Sequence, residues 1–157
     1  HLKDLLYPAI KTLVLLKNKI KFNKNYQISV YNFDLFKKEI SEFIDFFYPY
    51  SQNKTISAGL KDDFYGCWKE QYDSMDFDFQ NFVHKDYNLN NLIFLPKRKN
   101  FNKCGVIDFQ NALWSEDCWD LFSLLEDSRL NFDDQYNDYF IKFFFKNTNQ
   151  KISLDSY

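Results

Sequence analysis

Two short polar segments carry the side chains that could do chemistry. His84 to Asn91, with the sequence HKDYNLNN, comes before an apolar run, and Asp108 comes directly after the next apolar run, Cys104 to Ile107. Amide and carboxylate oxygens suit Mg²⁺, which takes one or two protein ligands and completes its shell with water and phosphate oxygens. These residue types therefore indicate a site for a metal and a nucleotide.

A β-hairpin would bring the two segments together. We predict strands over Leu92 to Leu95 and Cys104 to Ile107, joined by the polar turn Pro96 to Lys103. Because the arms of a hairpin run side by side, Asn91 before the first strand lies close to Asp108 after the second. Two oxygen ligands then converge at one end of the hairpin.

Asp86 adds a third functional group. It lies five residues before Asn91 in an irregular loop, so its carboxylate can face the same space without binding the metal. Phosphoryl transfer needs metal ions that neutralise the phosphates and a carboxylate that accepts the proton of the attacking hydroxyl. Asp86 is placed to act as that base.

Helices are expected on both sides of this region. The apolar spacing predicts helices over Leu5 to Ile20, with Pro8 tolerable only in a first turn, and over Ala58 to Met75. A helix between them begins at Asp34, a possible N-cap, and ends at Pro49. We expect the apolar stripes of these helices in the core. Three further elements are predicted: a strand over Phe79 to Val83, a helix around Trp119 to Leu125, and a helix around Tyr136 to Phe143.

Length and composition indicate one folded domain, and the predicted elements make it α+β and mainly α-helical, with the small hairpin as its β part. The 157 residues are 45% hydrophobic and 27% charged, which is typical of globular proteins and argues against disorder. Aromatic residues make up 21% of the chain, so large rings must fill the core.

Charge and cysteine content exclude several classes of partner. The net charge of −2 gives no general attraction to nucleic acid or to an acidic membrane, and no apolar run is long enough to span a bilayer. Cys67, Cys104 and Cys118 form no C-x-x-C pair, which predicts neither a disulfide framework nor a cysteine zinc site. We expect a cytoplasmic protein.

The chemistry-bearing residues also resemble a known family. H-x-D-x-x-x-x-N, followed by a hairpin and an Asp, is the catalytic loop and metal-binding Asp of protein kinases and of aminoglycoside phosphotransferase-like enzymes. The flanking segments GVIDFQNA and CWDLFSLLEDSR resemble the kinases that phosphorylate the anomeric hydroxyl of N-acetylmuramate and N-acetylglucosamine in cell-wall recycling. The likeness covers His84 to Arg129 well and Tyr31 to Tyr48 more weakly.

The resemblance implies a role for each site residue. It makes Asp86 the catalytic base, Asn91 and Asp108 the Mg²⁺ ligands that bind the ATP phosphates, and His84 a residue that braces the loop. Asp120 matches the Asp of the family's Y-D-L segment, where its carboxylate can accept backbone N–H groups of the catalytic loop.

Departures from the pattern favour a small-molecule kinase over a protein kinase. Asn88 stands where protein kinases often carry a phosphate-contacting Lys, and Gln110 stands where they carry the Gly of D-F-G. Because the few glycines are isolated and no strand-rich segment precedes the first helix, we expect this chain to be the C-terminal lobe, with the ATP-clamping N-terminal lobe missing. Such a fragment should have little or no activity alone.

The acceptor is left open among several hydroxylated molecules. An amino sugar is the first expectation, and the residues that contact it should lie after Asp120 and around Tyr31 to Tyr48. An aminoglycoside, choline or another hydroxylated amine is the alternative within the same class. A non-catalytic binding module that keeps the loop but has lost the nucleotide clamp is the alternative of another class.

Overall fold

The computed structural model describes residues 2–75, 79–116, 118–127 and 134–149, which fall into two compact units. Among these residues, 2–30 and 79–149 belong to one unit, and 31–75 belong to the other. The helices are α1 (Leu2–Lys19), α2 (Phe33–Glu42), α3 (Tyr48–Gln52), α4 (Ala58–Ser74), α5 (Trp119–Leu125) and α6 (Asp134–Asn147). The strands are β1 (Asn81–Val83), β2 (Leu92–Phe94), β3 (Cys104–Val106) and β4 (Leu113–Ser115). The described residues thus combine helices with two small antiparallel sheets.

The core of the first unit is built from helices α1, α5 and α6. Apolar residues three or four apart place one stripe of each helix inward, and for α1 this is the stripe that the sequence predicts. Fully buried side chains of this size contribute about 1.5–3 kcal/mol each relative to exposed ones. The buried cluster contains Leu6, Ala9, Ile10 and Leu13 of α1, Leu121, Leu124 and Leu125 of α5, Phe140 and Phe144 of α6, and Tyr87.

Helix α1 begins earlier than its apolar spacing predicts. It begins at Leu2, so Pro8 lies inside the helix and not in its first turn. Pro8 cannot donate a backbone hydrogen bond, and the helix is therefore short of one bond at this point. The prediction for Pro8 is wrong, because burial of the Leu6, Ile10 and Leu13 stripe offsets the loss of one hydrogen bond.

The predicted hairpin is confirmed. Strands β2 and β3 pair antiparallel, with Leu92 opposite Val106 and Phe94 opposite Cys104. One face of the hairpin, including Leu92 and Val106, packs against the helical core. The pairing continues past the strands, where the Ile107 N–H donates to the Asn91 carbonyl over 3.1 Å. This hydrogen bond holds the two polar segments together at their end of the hairpin.

A second small sheet was not predicted in full. Strand β1 is shorter than the predicted Phe79 to Val83, and it pairs antiparallel with β4, which the sequence analysis missed. Trp114 of β4 is fully buried, and its backbone N–H donates to the Ser29 carbonyl over 2.8 Å. The segment of three residues is too short to show a strand period by itself.

The second unit is helical, and its first helix has boundaries other than those predicted. The N-cap of α2 is Asn32, whose side chain accepts from the Leu35 N–H, and not Asp34. Pro49 does not end the helix: a π-helical turn over Phe43–Phe47 leads into α3, where Pro49 occupies a first-turn position that needs no N–H donor. The helical path ends at Asn53, which is left-handed.

Helix α4 follows the prediction, with Ser57 as its N-cap, but it is not a core helix. None of its residues is buried, and Leu60 and Trp68 are exposed. The prediction that this stripe fills a core is therefore wrong, and so is the same prediction for α2, which also has no buried residue. Its rings make edge contacts with α2, where the centroids of Trp68 and Phe36 are 5.6 Å apart. A unit of this size buries too little surface to enclose such large rings.

Within the described ranges, no helix combines the length and the apolar character required to cross a membrane.

The segment that resembles the amino-sugar kinases ends at Ser128 and Arg129, which lie outside the residues that the structure describes.

Candidate functional site

Asp86 lies in the loop between β1 and β2, and two asparagines fix it in place. The side chain of Asn91 donates to the Asp86 carbonyl over 2.9 Å. The side chain of Asn111 donates to Oδ2 of the Asp86 carboxylate over 2.8 Å. One asparagine thus holds the backbone of Asp86, and the other holds its carboxylate.

Asn91 has an amide oxygen that can serve as a ligand. Its side-chain Nδ2 donates to the Asp86 carbonyl, and its backbone carbonyl accepts from the Ile107 N–H. No described residue donates to its Oδ1. The hydrogen bond at Nδ2 therefore orients the amide, while Oδ1 has no donor among the described residues.

Asp108 has an unusual backbone. Its φ of 73° and ψ of 50° are left-handed, a region that Asp and Asn tolerate better than most residues. It precedes a short 3₁₀ turn, Phe109–Asn111, and its side chain is exposed. The left-handed residue turns the chain sharply where β3 ends, so that the turn returns toward the Asp86 loop.

Hydrogen bonds join the segments that carry the three predicted residues. Ile107, directly before Asp108, bonds Asn91, and Asn111, at the end of the turn that follows Asp108, bonds Asp86. The structure therefore joins Asp86 and Asn91 to residues on both sides of Asp108, namely Ile107 and Asn111, in one network at the end of the hairpin.

The oxygen donors of this network fit a divalent cation of the Mg²⁺ type. An amide oxygen and a carboxylate are hard ligands, and Mg²⁺ needs only one or two from the protein. Nowhere in the ranges that the structure describes do three or more His, Cys, Asp or Glu side chains form a metal-binding group. A site of this kind would depend on phosphate and water oxygens for the rest of its shell.

His84 supports the network from the protein interior. It is completely buried, and its Nε2 donates to the Ile107 carbonyl over 2.9 Å. Its ring meets the Phe109 ring edge-on, with 4.8 Å between centroids. His84 therefore touches both residues that flank Asp108 in the chain.

Asp120, at the start of α5, accepts two backbone hydrogen bonds from the loop. Its carboxylate receives the His84 N–H over 2.9 Å and the Lys85 N–H over 3.0 Å. Lys85 is left-handed, with φ of 75°, an unfavourable conformation for Lys that these bonds help to hold. The loop directly before Asp86 is thus fixed to a helix.

A buried lysine completes this support. Lys17 of α1 lies 3.4 Å from the Asp120 carboxylate and donates to the Phe82 carbonyl over 2.6 Å. The side chains of Lys17 and Asp120 are only 2% and 1% exposed. Because a buried charge is costly unless it is paired, the ion pair holds α1 against the start of α5, and the hydrogen bond holds α1 against β1.

Tyr87 anchors the loop to α1. It is fully buried, and its hydroxyl donates to the Ala9 carbonyl of α1 over 2.8 Å. Burial raises the pKa of Tyr87 well above its ordinary value. The residue after Asp86 is therefore held as a neutral phenol within the helical core.

Sequence analysis missed Lys17, Tyr87 and Asn111. Lys17 follows Ile10 and Leu13 at helical spacing, so its place on the buried stripe could have been read from the sequence. Tyr87 and Asn111 gave no comparable signal, because their partners lie far away along the chain.

Two comparisons with known proteins show a likeness to phosphotransferases. A sequence model described as "Phosphotransferase enzyme family" matches residues 67–151. A segment of 48 residues is 46% identical to the N-acetylmuramate/N-acetylglucosamine kinase of Caulobacter vibrioides (strain ATCC 19089 / CIP 103742 / CB 15). That segment is 31% of this chain and covers 13% of the length of the relative.

Proposed function

The chain belongs to the phosphotransferase enzyme family, and from this membership we propose that it is the C-terminal lobe of an ATP-dependent kinase for a small molecule. The observation that carries the proposal is the hydrogen-bonded network that links Asp86, Asn91 and the turn after Asp108. A base and two oxygen ligands in one network are the parts that phosphoryl transfer requires.

Asp86 is the proposed general base. It accepts the proton of the acceptor hydroxyl through a carboxylate oxygen while the hydroxyl oxygen attacks the γ-phosphorus of ATP and the bond to the ADP oxygen breaks. A positioned base of this kind contributes about 10²–10⁴-fold to the rate. The two asparagines that hold Asp86 support this role, because a base must meet the hydroxyl in a defined geometry.

Asn91 and Asp108 are the proposed ligands of Mg²⁺. A bound Mg²⁺ would neutralise charge on the ATP phosphates and on the transferring group. The Asn91 amide contributes a neutral oxygen, and the Asp108 carboxylate contributes the negative charge. His84, Asp120 and Lys17 support these residues from within the protein and touch none of the reacting atoms.

The exposed face of the hairpin is suited to the base of the nucleotide. Ile93 and Ile107 are each 45% exposed; Ile93 lies two residues after Asn91, and Ile107 lies directly before Asp108. Ile93 pairs with Gly105, which has no side chain to cover it. A planar base can lie flat on such an apolar surface.

An N-terminal lobe of the same protein is proposed to clamp the nucleotide from the other side. The sequence supports this, because Gly59, Gly66 and Gly105 are isolated and form no glycine-rich phosphate loop. Alone, the 157 residues would then bind ATP weakly.

The proposed acceptor is the anomeric hydroxyl of N-acetylmuramate or N-acetylglucosamine. The name of the Caulobacter relative supports this choice. An aminoglycoside or choline fits the same chemistry and is an alternative that the assay below distinguishes.

Transfer of labelled phosphate from [γ-³²P]ATP by the full-length protein tests the proposal. The panel is N-acetylmuramate, N-acetylglucosamine, kanamycin and choline. We expect turnover with an amino sugar, and a loss of about 10²–10⁴-fold in Asp86→Asn. Asp138→Asn, an exposed carboxylate on α6, is the matched control and should keep full activity.

Three results would count against parts of this account. Turnover with kanamycin or choline alone would refute the amino-sugar acceptor. Full activity of Asp86→Asn would refute its role as the base. No transfer to any acceptor, with ATP still bound, would favour a non-catalytic binding module.

A further inference from the structure

The Asp86 carboxylate is held at one oxygen only. Oδ2 accepts from the Asn111 amide over 2.8 Å, and in the part of the chain that is described no group donates to Oδ1. An aspartate in a polar loop can rotate about its side-chain torsions, and the hydrogen bond selects one orientation. The second oxygen is then left to meet the acceptor hydroxyl.

From this contact we propose that Asn111 is a positioning residue, which orients the Asp86 carboxylate for proton transfer. The inference rests on the proposed function, because it presumes that Asp86 is the base. Asn111 acts through Asp86 and does not touch the substrate itself.

The location of Asn111 makes this role specific. It ends the 3₁₀ turn that Asp108 begins, and Ala112 closes that turn by donating to the Phe109 carbonyl over 2.9 Å. His84 fixes the turn through the Ile107 carbonyl and the Phe109 ring. One braced turn therefore carries both a proposed metal ligand and the group that orients the base.

Substitution of Asn111 should be tolerated by the fold. Asn111 is exposed, and its only described side-chain hydrogen bond is the one to Asp86. Removing the amide should therefore leave the fold intact and change the freedom of one carboxylate. Gln110, the exposed neighbour on the same turn, provides a matched control for truncation of an amide.

The test is a double-mutant cycle on kcat in the full-length protein. Asn111→Ala in the Asp86 background should lower kcat about tenfold or more, with the KM for ATP and for the acceptor unchanged. Gln110→Ala should keep the kcat of the parent. In the Asp86→Asn background, Asn111→Ala should cause no further loss, because the base through which it acts is gone.

The outcomes distinguish failure of the positioning role of Asn111 from failure of the proposed function. If Asn111→Ala lowers kcat equally in both backgrounds, or has no effect in the parent, Asn111 does not position the base and the inference is overturned. If Asp86→Asn itself is fully active, the proposed function fails, whatever Asn111 does. A rise in KM for ATP without a change in kcat would assign Asn111 to nucleotide binding and also overturn the inference.

Discussion

Replacing Lys17 with Met is the most revealing test of how the catalytic loop is supported. Met keeps most of the length and the apolar stem of Lys but removes the charge that lies 3.4 Å from the Asp120 carboxylate. The substitution also removes the hydrogen bond to the Phe82 carbonyl. Asp120 would keep its two backbone donors, His84 and Lys85, but would be a buried carboxylate without a cation.

The expected loss can be calculated from this geometry. Coulomb's law gives about 5 kcal/mol for two unit charges at this separation when the effective dielectric constant is about 20. Desolvation of both charges in the wild type offsets part of that attraction, and the remaining bonds to Asp120 lessen the penalty. Removing one partner of such a buried pair costs about 3–5 kcal/mol, and we expect Lys17→Met to fall in that range.

The assay is equilibrium unfolding of the full-length protein in urea, followed by tryptophan fluorescence and circular dichroism. Lys19→Met is the matched control, because Lys19 lies on the same helix but is exposed, and it should change the free energy of unfolding by less than about 0.5 kcal/mol. Combining Lys17→Met with Asp120→Asn should reveal an interaction energy of about 1–3 kcal/mol. A loss in Lys17→Met no greater than in Lys19→Met would refute the reasoning.

Three further predictions concern the loop and the hairpin. Because burial raises the pKa of Tyr87, the folded protein keeps this proton at a pH where the unfolded chain loses it, so the free energy of unfolding should fall as pH rises above about 10. Urea unfolding between about pH 9 and 11 should show a smaller fall in Tyr87→Phe, and an equal fall would contradict it. In Asp108→Asn, the new Asn tolerates the left-handed backbone but lacks the negative charge. Calorimetry should therefore show that Mg²⁺-dependent binding of ATP is weakened about tenfold or more, with Tm unchanged. An unaltered affinity would remove Asp108 from the metal site. An added Cβ at Gly105 would meet Ile93 Cβ at 3.6 Å, which is an ordinary contact, so Gly105→Ala should keep the KM for ATP. The larger side chain in Gly105→Leu would cover Ile93 and should raise this KM about tenfold. Equal KM values in the two variants would exclude the nucleotide from this face.

The hairpin shows what the sequence could determine. Two apolar runs separated by a polar turn fixed the pairing of β2 with β3, and that pairing brought the ends near Asn91 and Asp108 together. These interactions are local, so the chain pattern contains them. Helices α1, α5 and α6 were predictable for the same reason, because each has one apolar stripe.

The missed features depend on partners that lie far apart in the chain. Strand β4 is held by β1 and by Ser29, and Tyr87 is held by Ala9, so no local pattern marks these contacts. The N-cap at Asn32 illustrates a different limit, because Asn32 and Asp34 are both good caps and only the geometry decides between them.

The central claim is that Asp86, Asn91 and Asp108 form one phosphoryl-transfer centre. A crystal structure of the full-length protein with Mg²⁺, a non-hydrolysable ATP analogue and N-acetylglucosamine tests it most directly. We expect Mg²⁺ about 2.1 Å from the Asn91 amide oxygen and the Asp108 carboxylate, and a carboxylate oxygen of Asp86 about 3 Å from the anomeric hydroxyl. A metal held by other side chains, or an acceptor hydroxyl beyond the reach of Asp86, would contradict the claim.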